Sequence, residues 1–364
     1  MHITVETTAI AAEHGDILMH RRARRGAHTE RRERIMLALT ADDIRALVPM
    51  DDAIALMKVA FRALSGGAAV APLRTPIEVA PEHAVSLFMP AAVPSVGGLG
   101  LKVVSVFPNN PSRGLPTIHA LVCLISPEDG TPMAIMDGTF LTALRTGAVS
   151  GAATDLMARP DAQILALFGA GAQAVTQAEA ICAVRGIEEI RLIARSRAKG
   201  EAFITRTRQH APAVADRVRI VLDPAEAVTG ADIICTATPA TAALFADRDL
   251  SPGTHINAVG AYTPTMQEIP PETVARARIV VDQREAAWAE GGDLVIARDR
   301  GLITEADIYA EIGELTGDTK PGRQSPDEIT FFKSVGNAVQ DIAVGRYAVD
   351  RARERGLGQT IHLS

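Results

Sequence analysis

The chain of 364 residues is poor in aromatic residues and in cysteine. Phe, Trp and Tyr together make up 4% of it, so its cores must consist mainly of Ala, Val, Ile and Leu. The three cysteines, Cys123, Cys182 and Cys235, lie far apart in apolar segments and have no metal-binding or redox spacing. We interpret them as small buried hydrophobic residues in a reducing compartment. The histidines form no paired motif such as H-E-x-x-H, and we expect no metal.

Long hydrophobic runs and an excess of basic residues are also missing. The sequence has no run of about eighteen apolar residues and no signal-peptide pattern, so we expect a cytoplasmic protein without membrane contact. A formal net charge of -6 argues against a nucleic-acid partner. The hydrophobic content of 47% is ordinary for a folded chain, and 364 residues fit two domains.

Residues 1–35 differ in composition from the rest of the chain. They contain four of the nine histidines and seven arginines, mixed with acids and without apolar periodicity. This composition is typical of a solvated tail, and we predict that 1–35 is disordered. Acids such as Glu13 and Glu33 argue against a targeting peptide, and Met36 is an alternative start.

The pattern after this tail predicts a small α+β domain over residues 36–145. Thr40 and the acids that follow it can cap a short helix, and Pro49 precedes a second helix that ends at Gly66. The period then changes to two, which predicts a mostly antiparallel sheet. Its strands are expected at 75–79, 84–89, 100–106, 119–126 and, after a hairpin turn, 132–136. A helix over 139–157 leads into the second half of the chain.

A strand-turn-helix-strand unit is the most informative part of the sequence. An apolar run over 162–168 enters the motif G-A-G-A-Q-A, and a second strand ends near residue 194. Gly169 permits a tight turn, Gly171 lets the backbone approach a pyrophosphate, and the small Ala174 allows close helix packing. The start of the helix offers free N–H groups and a partial positive charge to phosphate. The unit therefore predicts a dinucleotide site.

The residues after the second strand of this unit bear on which dinucleotide binds. An NAD enzyme usually has a carboxylate there for the ribose hydroxyls, whereas this chain has Arg195, Ser196 and Arg197. Two guanidiniums and a hydroxyl can pair with a 2′-phosphate. We therefore predict NADP(H) as the preferred cofactor, with NAD(H) possible.

The second half as a whole predicts an α/β fold, with a Rossmann-type doubly wound parallel sheet over 146–318. Beyond Asp318 the chain should leave this sheet, and a helix over 334–355 should return so that 319–364 completes the first domain. A substrate would bind in the cleft between the domains, beyond the carboxyl ends of the parallel strands. Further strands of this sheet are expected at 219–222, 233–237, 255–259 and 278–281.

Four basic or polar residues interrupt apolar sequence in the first domain: Arg74, Lys102, Thr117 and Arg145. An unpaired buried charge costs several kcal/mol, so each cation needs an acid or a ligand as its partner. Taken singly, a Lys or Arg beside a strand is most often a surface residue with a buried stem. Taken together with a nicotinamide site, the cations predict a pocket for a carboxylate.

These motifs together resemble the ornithine cyclodeaminase/mu-crystallin family. The resemblance covers about residue 37 to the C-terminus, with the motifs in the family's order. It implies a homodimer in which one domain binds substrate and dimerises and a Rossmann domain binds NAD(P). The matching segments are Pro72-Leu73-Arg74-Thr75, Gly100-Leu101-Lys102-Val103-Val104, Met136-Asp137-Gly138, Ala143-Leu144-Arg145-Thr146-Gly147-Ala148, Gly169-Ala170-Gly171-Ala172-Gln173 and Asn257-Ala258-Val259-Gly260.

The resemblance also implies roles for individual residues. Arg74, Lys102 and Arg145 would bind the substrate's carboxylate and nearby groups, with Val335 lining the pocket. Lys102 would be the catalytic residue that helps to supply a proton. Besides the glycines and the 195–197 segment, the cofactor would contact Thr117, Arg145, Ala172, Gln173, Thr238, Val259, Gly260 and Ser334.

One departure from the family bears on the reaction. Ornithine cyclodeaminases have an aspartate two positions after the glycine of Asn-Ala-Val-Gly, whereas this chain has Tyr262. Tyr262 cannot supply a carboxylate for a second ammonium or act as a base near neutral pH. Family members with an uncharged residue there resemble imine reductases.

We therefore predict that the chain uses NADPH to reduce a cyclic imine carboxylate. The predicted substrates are Δ1-pyrroline-2-carboxylate and Δ1-piperideine-2-carboxylate, and the products are L-proline and L-pipecolate. Two alternatives stay open within enzymes of this family, an ornithine cyclodeaminase and an amino-acid dehydrogenase. A third alternative is a non-catalytic protein that binds NADPH and a small ligand, as mu-crystallin does.

Overall fold

The computed structural model describes residues 34–363, which form two β-sheets with helices packed on them. The predicted disorder of 1–35 therefore falls almost wholly outside the described residues. Its last two positions do not follow the prediction, because Arg34 and Ile35 already belong to the first strand.

The first sheet has seven strands in the order β15-β1-β6-β5-β4-β3-β2. Strand β1 pairs parallel with β6, and all other neighbours in this sheet are antiparallel, as predicted. Strands β1 and β15 were not predicted. The strands are β1 Arg34–Leu39, β2 Thr75–Val79, β3 Ala84–Val93, β4 Gly98–Val106, β5 Ile118–Ile125, β6 Pro132–Asp137 and β15 Gln359–Leu363.

Helices cover one face of this sheet. Helix α1 (Ala41–Leu47) begins at the predicted cap, because the Thr40 side chain accepts a hydrogen bond from the Asp43 N–H in a capping box. Three longer helices share an apolar core with the inward side chains of β5. They are α2 Met50–Ser65, α3 Gly138–Met157 and α12 Ala338–Arg355.

Helix α3 also packs tightly against the first helix of the other half. A Cβ at Gly147 would lie 2.3 Å from the carbonyl oxygen of Thr176 in that helix, so only glycine allows this approach. The predicted domain division between residues 145 and 146 falls inside α3 and stays a prediction.

The second sheet has eight strands, all parallel, in the order β13-β12-β14-β11-β10-β7-β8-β9. Together with its helices it confirms the predicted α/β class. Its strands are β7 Ile164–Phe168, β8 Glu189–Ile193, β9 Val218–Val221, β10 Ile233–Thr236, β11 His255–Ala258, β12 Arg278–Val281, β13 Ile308–Glu311 and β14 Thr330–Lys333. Its helices are α4 Ala172–Val184, α5 Arg197–His210, α6 Pro212–Ala215, α7 Pro224–Val228, α8 Pro271–Arg276, α9 Arg284–Glu290, α10 Gly292–Asp299 and α11 Ile312–Thr316.

Strand β14 shows that the chain does not leave this sheet beyond Asp318, so that prediction is wrong. Residues Thr330–Lys333 lie between β11 and β12 and pair with both. Four residues ending in a lysine carry too weak a strand pattern, and Lys333 is tolerated in the core because its Nζ lies 2.8 Å from Asp293 Oδ2. The last long helix begins at Ala338 rather than at residue 334, because Asn337 caps it. The segment 319–364 thus contributes strands to both sheets.

The cysteines are free, but only Cys235 is buried, whereas Cys123 and Cys182 are partly exposed. The expectation of three buried thiols is therefore wrong for two of them. Within 34–363, no helix is long and apolar enough to cross a membrane. The same residues bring together no group of three His, Cys, Asp or Glu side chains that could hold a metal ion.

Candidate active site

The glycine motif forms the turn between β7 and α4, beside the end of β10. Gly169 has a φ of +111°, and a Cβ there would lie 2.6 Å from the Ala237 carbonyl oxygen. A Cβ at Gly171 would meet open space, so the backbone is accessible at that position. The sheet order runs outward in both directions from β7 and β10. The motif therefore lies at the switch point where doubly wound sheets bind their ligands.

The start of α4 presents unpaired polar groups to this crevice. The helix begins at Ala172, and Gly171 provides no side-chain cap for its first N–H groups. Within the described part of the chain, the buried Oε1 of Gln173 has no hydrogen-bond partner. A buried acceptor without a donor costs free energy, which a donor on a bound ligand would recover. These features fit the predicted dinucleotide.

Arg195, Ser196 and Arg197 lie beyond the end of β8, the strand next to β7. Ser196 caps α5 by accepting a hydrogen bond of 3.3 Å from the N–H of Lys199. Both arginines are exposed, and neither guanidinium forms an ion pair or hydrogen bond with another residue of 34–363. Their guanidiniums are available to a ligand at the same edge of the sheet as the glycine turn.

A buried carboxylate, Glu268, holds together the segments that follow β10 and β11. Its oxygens accept hydrogen bonds from the N–H and hydroxyl of Thr238, at 2.6 and 2.8 Å, and from the N–H of Gly260 at 2.8 Å. Burial and the neighbouring Asp293 raise the pKa of Glu268. A Cβ at Gly260 would lie 2.3 Å from the Thr238 carbonyl oxygen. The structure thus brings together Thr238, Val259 and Gly260, three of the predicted cofactor residues.

A second buried carboxylate, Asp282, organises the turn after β14. Its Oδ2 accepts hydrogen bonds from the hydroxyl of Ser334 at 2.9 Å and from the N–H groups of Val335 and Gly336, both at 2.8 Å. Gly336 has a φ of +87°, and a Cβ there would lie 2.9 Å from Nη1 of Arg145. The predicted residues Ser334 and Val335 are therefore next to one of the predicted substrate cations.

Lys102 in β4 and Arg145 in α3 share one acid, Asp341. Their exposed fractions are 1% and 5%, and Asp341 is 0% exposed. Lys102 Nζ lies 2.7 Å from Asp341 Oδ2, and Arg145 Nε donates a 3.2 Å hydrogen bond to Asp341 Oδ1. Arg145 Nη1 donates to Gln340 Oε1 at 2.8 Å. Both partners are in the first turn of α12, so this turn orients the two cations.

Arg74, just before β2, extends to the turn after β14. Its guanidinium pairs with Glu290 and donates hydrogen bonds to the carbonyl oxygens of Val335 at 3.3 Å and Tyr262 at 3.4 Å. A small cavity beside it is lined in part by Arg74, Glu290 and Gly336. Arg74 and Arg145 therefore both contact the segment 335–336.

The surroundings of Lys102 tune its acidity. Burial and the nearby Arg145 lower the pKa of Lys102 to about 8, while Asp341 opposes this change. Arg74 contributes a smaller effect that also lowers it. An ammonium with this pKa gives up a proton more readily near neutral pH than an ordinary lysine does.

The structure brings the three predicted cations together, but it supplies two acids that sequence reasoning missed. Asp341 pairs with Lys102 and Arg145, and Glu290 pairs with Arg74. A polar Gln-Asp pair inside the Ala- and Val-rich helix α12 was a signal for Asp341. Glu268 and Asp282 were missed as well, because the N–H and hydroxyl groups of Thr238 and of the 334–336 turn that they bind lie 30 to 54 positions away in sequence.

Thr117 is not joined to this cluster in the structure. It lies in the turn before β5, where its carbonyl oxygen accepts a hydrogen bond from the Phe107 N–H at 2.8 Å. Its implied contact with the cofactor stays a prediction. The roles of the other predicted site residues likewise stay predictions.

Comparison with known proteins accounts for this arrangement. Residues 34–356 match the sequence profile of the ornithine cyclodeaminase/mu-crystallin family. The chain belongs to this family. It is 41% identical over 329 residues to a Δ1-pyrroline-2-carboxylate reductase of Bacillus cereus strain ZK / E33L. This match covers 90% of the chain and 100% of the relative.

Two solved structures have the same fold over most of the chain. The Δ1-pyrroline-2-carboxylate reductase of Thermococcus litoralis, in complex with NADH and L-proline, is 37% identical with a TM-score of 0.85, and the match covers 90% of this chain and 100% of that one. An archaeal alanine dehydrogenase dimer with bound NAD is 35% identical with a TM-score of 0.83, over 91% and 100%. The chain is an oxidoreductase of this family, with a Rossmann-type nicotinamide-binding sheet.

Proposed function

We propose that the protein reduces a small cyclic imine carboxylate with NADPH, giving the cyclic amino acid. The observation that carries this proposal is the convergence of Arg74, Lys102 and Arg145 at the turn after β14 and the first turn of α12 that follows it. Relatives named as Δ1-pyrroline-2-carboxylate reductases support the choice of Δ1-pyrroline-2-carboxylate or its six-membered homologue Δ1-piperideine-2-carboxylate.

The charges of the cluster favour a substrate with one carboxylate. Three cations face two acids, Asp341 and Glu290, so the five groups leave one positive charge uncompensated. A single carboxylate would balance that charge inside a nearly dry site. The sequence left open whether an acid or a ligand balances each cation, and in the structure protein acids already balance part of their charge.

The cations divide the work between positioning and proton transfer. Arg74 and Arg145 hold the substrate's carboxylate, since a guanidinium can bind a carboxylate with two parallel hydrogen bonds. Lys102 gives a proton to the imine nitrogen, which makes the adjacent carbon a better hydride acceptor. The reduced nicotinamide supplies that hydride when it is bound. Val335 lines the pocket beside Arg74.

The residue at position 262 disfavours ornithine cyclodeamination. Tyr262 occupies the position where cyclodeaminases have an aspartate, and its carbonyl oxygen accepts a hydrogen bond from Arg74. A phenol in this place offers no negative charge to a second ammonium of a diamino acid. The site therefore suits a substrate whose only charged group besides the imine is its carboxylate.

NADP(H) is the cofactor we propose, held by the glycine turn and the ends of β8, β10, β11 and β14. The exposed and unpaired Arg195 and Arg197 support a 2′-phosphate, with the Ser196 hydroxyl between them. The pyrophosphate would lie at Gly169, Gly171, Ala172 and Gln173. Thr238, Val259, Gly260, Ser334, Arg145 and Thr117 would hold the rest.

A cytoplasmic homodimer is part of the same proposal. One face of the first sheet is covered by α2 and α12, while the other face carries exposed apolar residues such as Ile77 at 53% and Leu121 at 45%. These two lie on the same face because Thr75 pairs with Phe88, Phe88 with Val103, and Val103 with Leu121. Exposed apolar sheet faces commonly mark subunit interfaces. Light scattering should give twice the mass of 38.5 kDa.

The experiment that tests the activity is NADPH oxidation with five- and six-membered cyclic imine carboxylates. We expect turnover with at least one ring, and little with pyruvate plus ammonia. A preference for pyruvate plus ammonia would instead indicate an alanine dehydrogenase, which one similar structure is named as.

Other outcomes identify the remaining alternatives. Ammonia released from ornithine with recycling NAD would indicate a cyclodeaminase. Tight NADPH binding without turnover on any imine or amino acid would indicate a binding protein. Ring size is left to the assay, because one methylene in an apolar pocket changes preference by only about 1–3 kcal/mol.

A further inference from the structure

Asp341 has an unusual set of partners for a buried acid. Its Oδ1 accepts from Arg145 Nε at 3.2 Å, and its Oδ2 lies 2.7 Å from Lys102 Nζ. The two elements that carry these cations, α3 and β4, are far from α12 in sequence. The carboxylate is fully buried, so water does not share in balancing its charge.

The helix itself does not depend on Asp341 for its hydrogen bonds. The capping box at the start of α12 is formed by Asn337 and Gln340, and the Gln340 amide also contacts Arg145. Among residues 34–363, the ion pairs and hydrogen bonds of the Asp341 carboxylate are made only with the two cations. Asp341 therefore balances the charge of the two cations and does not cap α12.

The charged groups around Lys102 explain why an acid is needed there. Arg145 on α3 and Arg74 before β2 both disfavour a charge on Lys102, and Asp341 on α12 is the acid that favours it. Glu290 on α9 is already paired with Arg74. Without Asp341, burial and two guanidiniums would drive the proton off Lys102.

We propose that Asp341 is a positioning residue that keeps the Lys102 ammonium charged and in place for proton donation while it holds Arg145 toward the substrate's carboxylate. This inference rests on the proposed imine reduction. Without a counter-charge, Lys102 would be neutral at the pH where the enzyme must donate a proton. Arg145 shares the acid but stays protonated, so Lys102 is the cation of this pair that can donate a proton.

The proton and electron balance of the step is simple. An N–H bond forms as Lys102 Nζ gives its proton to the imine nitrogen, and a C–H bond forms from the hydride that NADPH supplies. The C=N π bond breaks, the imine is reduced and NADPH is oxidised to NADP⁺. Lys102 is left as a neutral amine beside Asp341, and a proton from solvent restores the ammonium.

The test is the pH dependence of kcat for imine reduction by Asp341→Asn. Asparagine keeps the size of the side chain and removes its charge. We expect kcat to fall by about 100-fold at pH 8, and the pH above which kcat declines to move down by at least about one unit. NADPH binding, measured by fluorescence, should stay within about twofold.

Asp350→Asn is the matched control on the same helix. Asp350 pairs with Arg346 near the surface, with 43% of its side chain exposed, so its removal should leave the pH profile unchanged. Asp341→Glu keeps the charge one methylene further out. We expect a reduced kcat in this variant, but the pH above which kcat declines should lie within about half a unit of the wild-type value. If the Asn variant does not fold, the Glu variant alone provides the test.

An Asn variant with the wild-type declining limb would overturn the inference, whatever its absolute kcat. A Glu variant whose limb moves down by a full unit would do the same. A wild-type protein that turns over no cyclic imine would instead contradict the proposed function, so the two failures give different results.

Discussion

The protein has two groups of cations that differ in how their charge is balanced. Lys102 and Arg145 are buried and already paired with Asp341, whereas Arg195 and Arg197 are exposed and have no partner in 34–363. The first group lies at the first turn of α12, and the second lies beyond the end of β8.

This difference follows from the cost of burying charge. A cation in a dry site must have its counter-charge in the folded protein, because an uncompensated one would destabilise the fold or lose its proton. An exposed cation is stabilised by water and needs no counter-charge from the protein before a ligand binds. We therefore expect the function of Lys102 and Arg145 to respond strongly to pH and to single substitutions. Cofactor binding by Arg195 and Arg197 should respond to salt and to the 2′-phosphate of the cofactor.

The largest effect should come from Lys102→Met. This change removes the proposed proton donor, and we expect kcat for imine reduction to fall by about 10² to 10⁴ with NADPH affinity within about twofold. Lys58→Met is the control, since Lys58 pairs with Asp155 near the surface and away from the site. A Lys102→Met enzyme of near wild-type rate would remove Lys102 from the mechanism.

The next effect concerns the exposed pair. Replacing Arg195 and Arg197 together by alanine should lower kcat/KM for NADPH by about 100-fold, because two charge-assisted contacts are lost. The kcat/KM for NADH should change by no more than about twofold. Arg208→Ala on the same helix is the control, as Arg208 pairs with Asp216. A wild-type preference for NADH would show that the two arginines do not bind a 2′-phosphate.

A third effect is the response of the buried group to pH. The pKa of Lys102 is lowered to about 8, so its ammonium is present below that pH and lost above it. We expect kcat for reduction to fall by about tenfold per unit above pH 8, and kcat for oxidation of the cyclic amino acid to rise through the same range. A reductive kcat that stays constant to pH 10 would contradict the assignment of Lys102 as the donor.

The smallest effect should be that of salt, which tests whether the two groups differ in exposure as described. Raising ionic strength from about 0.05 M to about 0.5 M should raise the KM for NADPH by about threefold to tenfold and change the KM for the imine by less than about twofold. An equal rise with salt in the KM for NADPH and the KM for the imine would contradict the difference between the two groups of cations.

The two sheets were not equally predictable from the sequence. The antiparallel strands β2 to β6 have period-two patterns and turn residues between them, and these patterns identified them. Strand β14 has four residues ending in the buried Lys333, so its pattern is too short to reveal a strand in the interior of the second sheet. Strands β1 and β15 pair with each other across almost the full length of the chain, and such pairing has no local signal.

The candidate site was predictable in part for a similar reason. Arg74, Lys102 and Arg145 stand out because a charge inside an apolar segment is conspicuous in any sequence. Their acids, Glu290 and Asp341, lie about 195 to 240 positions away, and nothing local indicates which acid pairs with which cation. The glycine turn was found because its backbone requirement is local.

The sequence by itself determined the family, the parallel sheet with its glycine turn, and the set of cations that we predict to bind a carboxylate. These depend on periodicity, turn chemistry and motif order, which are written in neighbouring residues. Only the tertiary structure decided how the cations are balanced, because Coulomb interactions depend on distance in space and on burial. It brought the first turn of α12 against α3 and β4, and so paired Lys102 with Asp341, while burial and Arg145 lower the pKa of Lys102 to about 8.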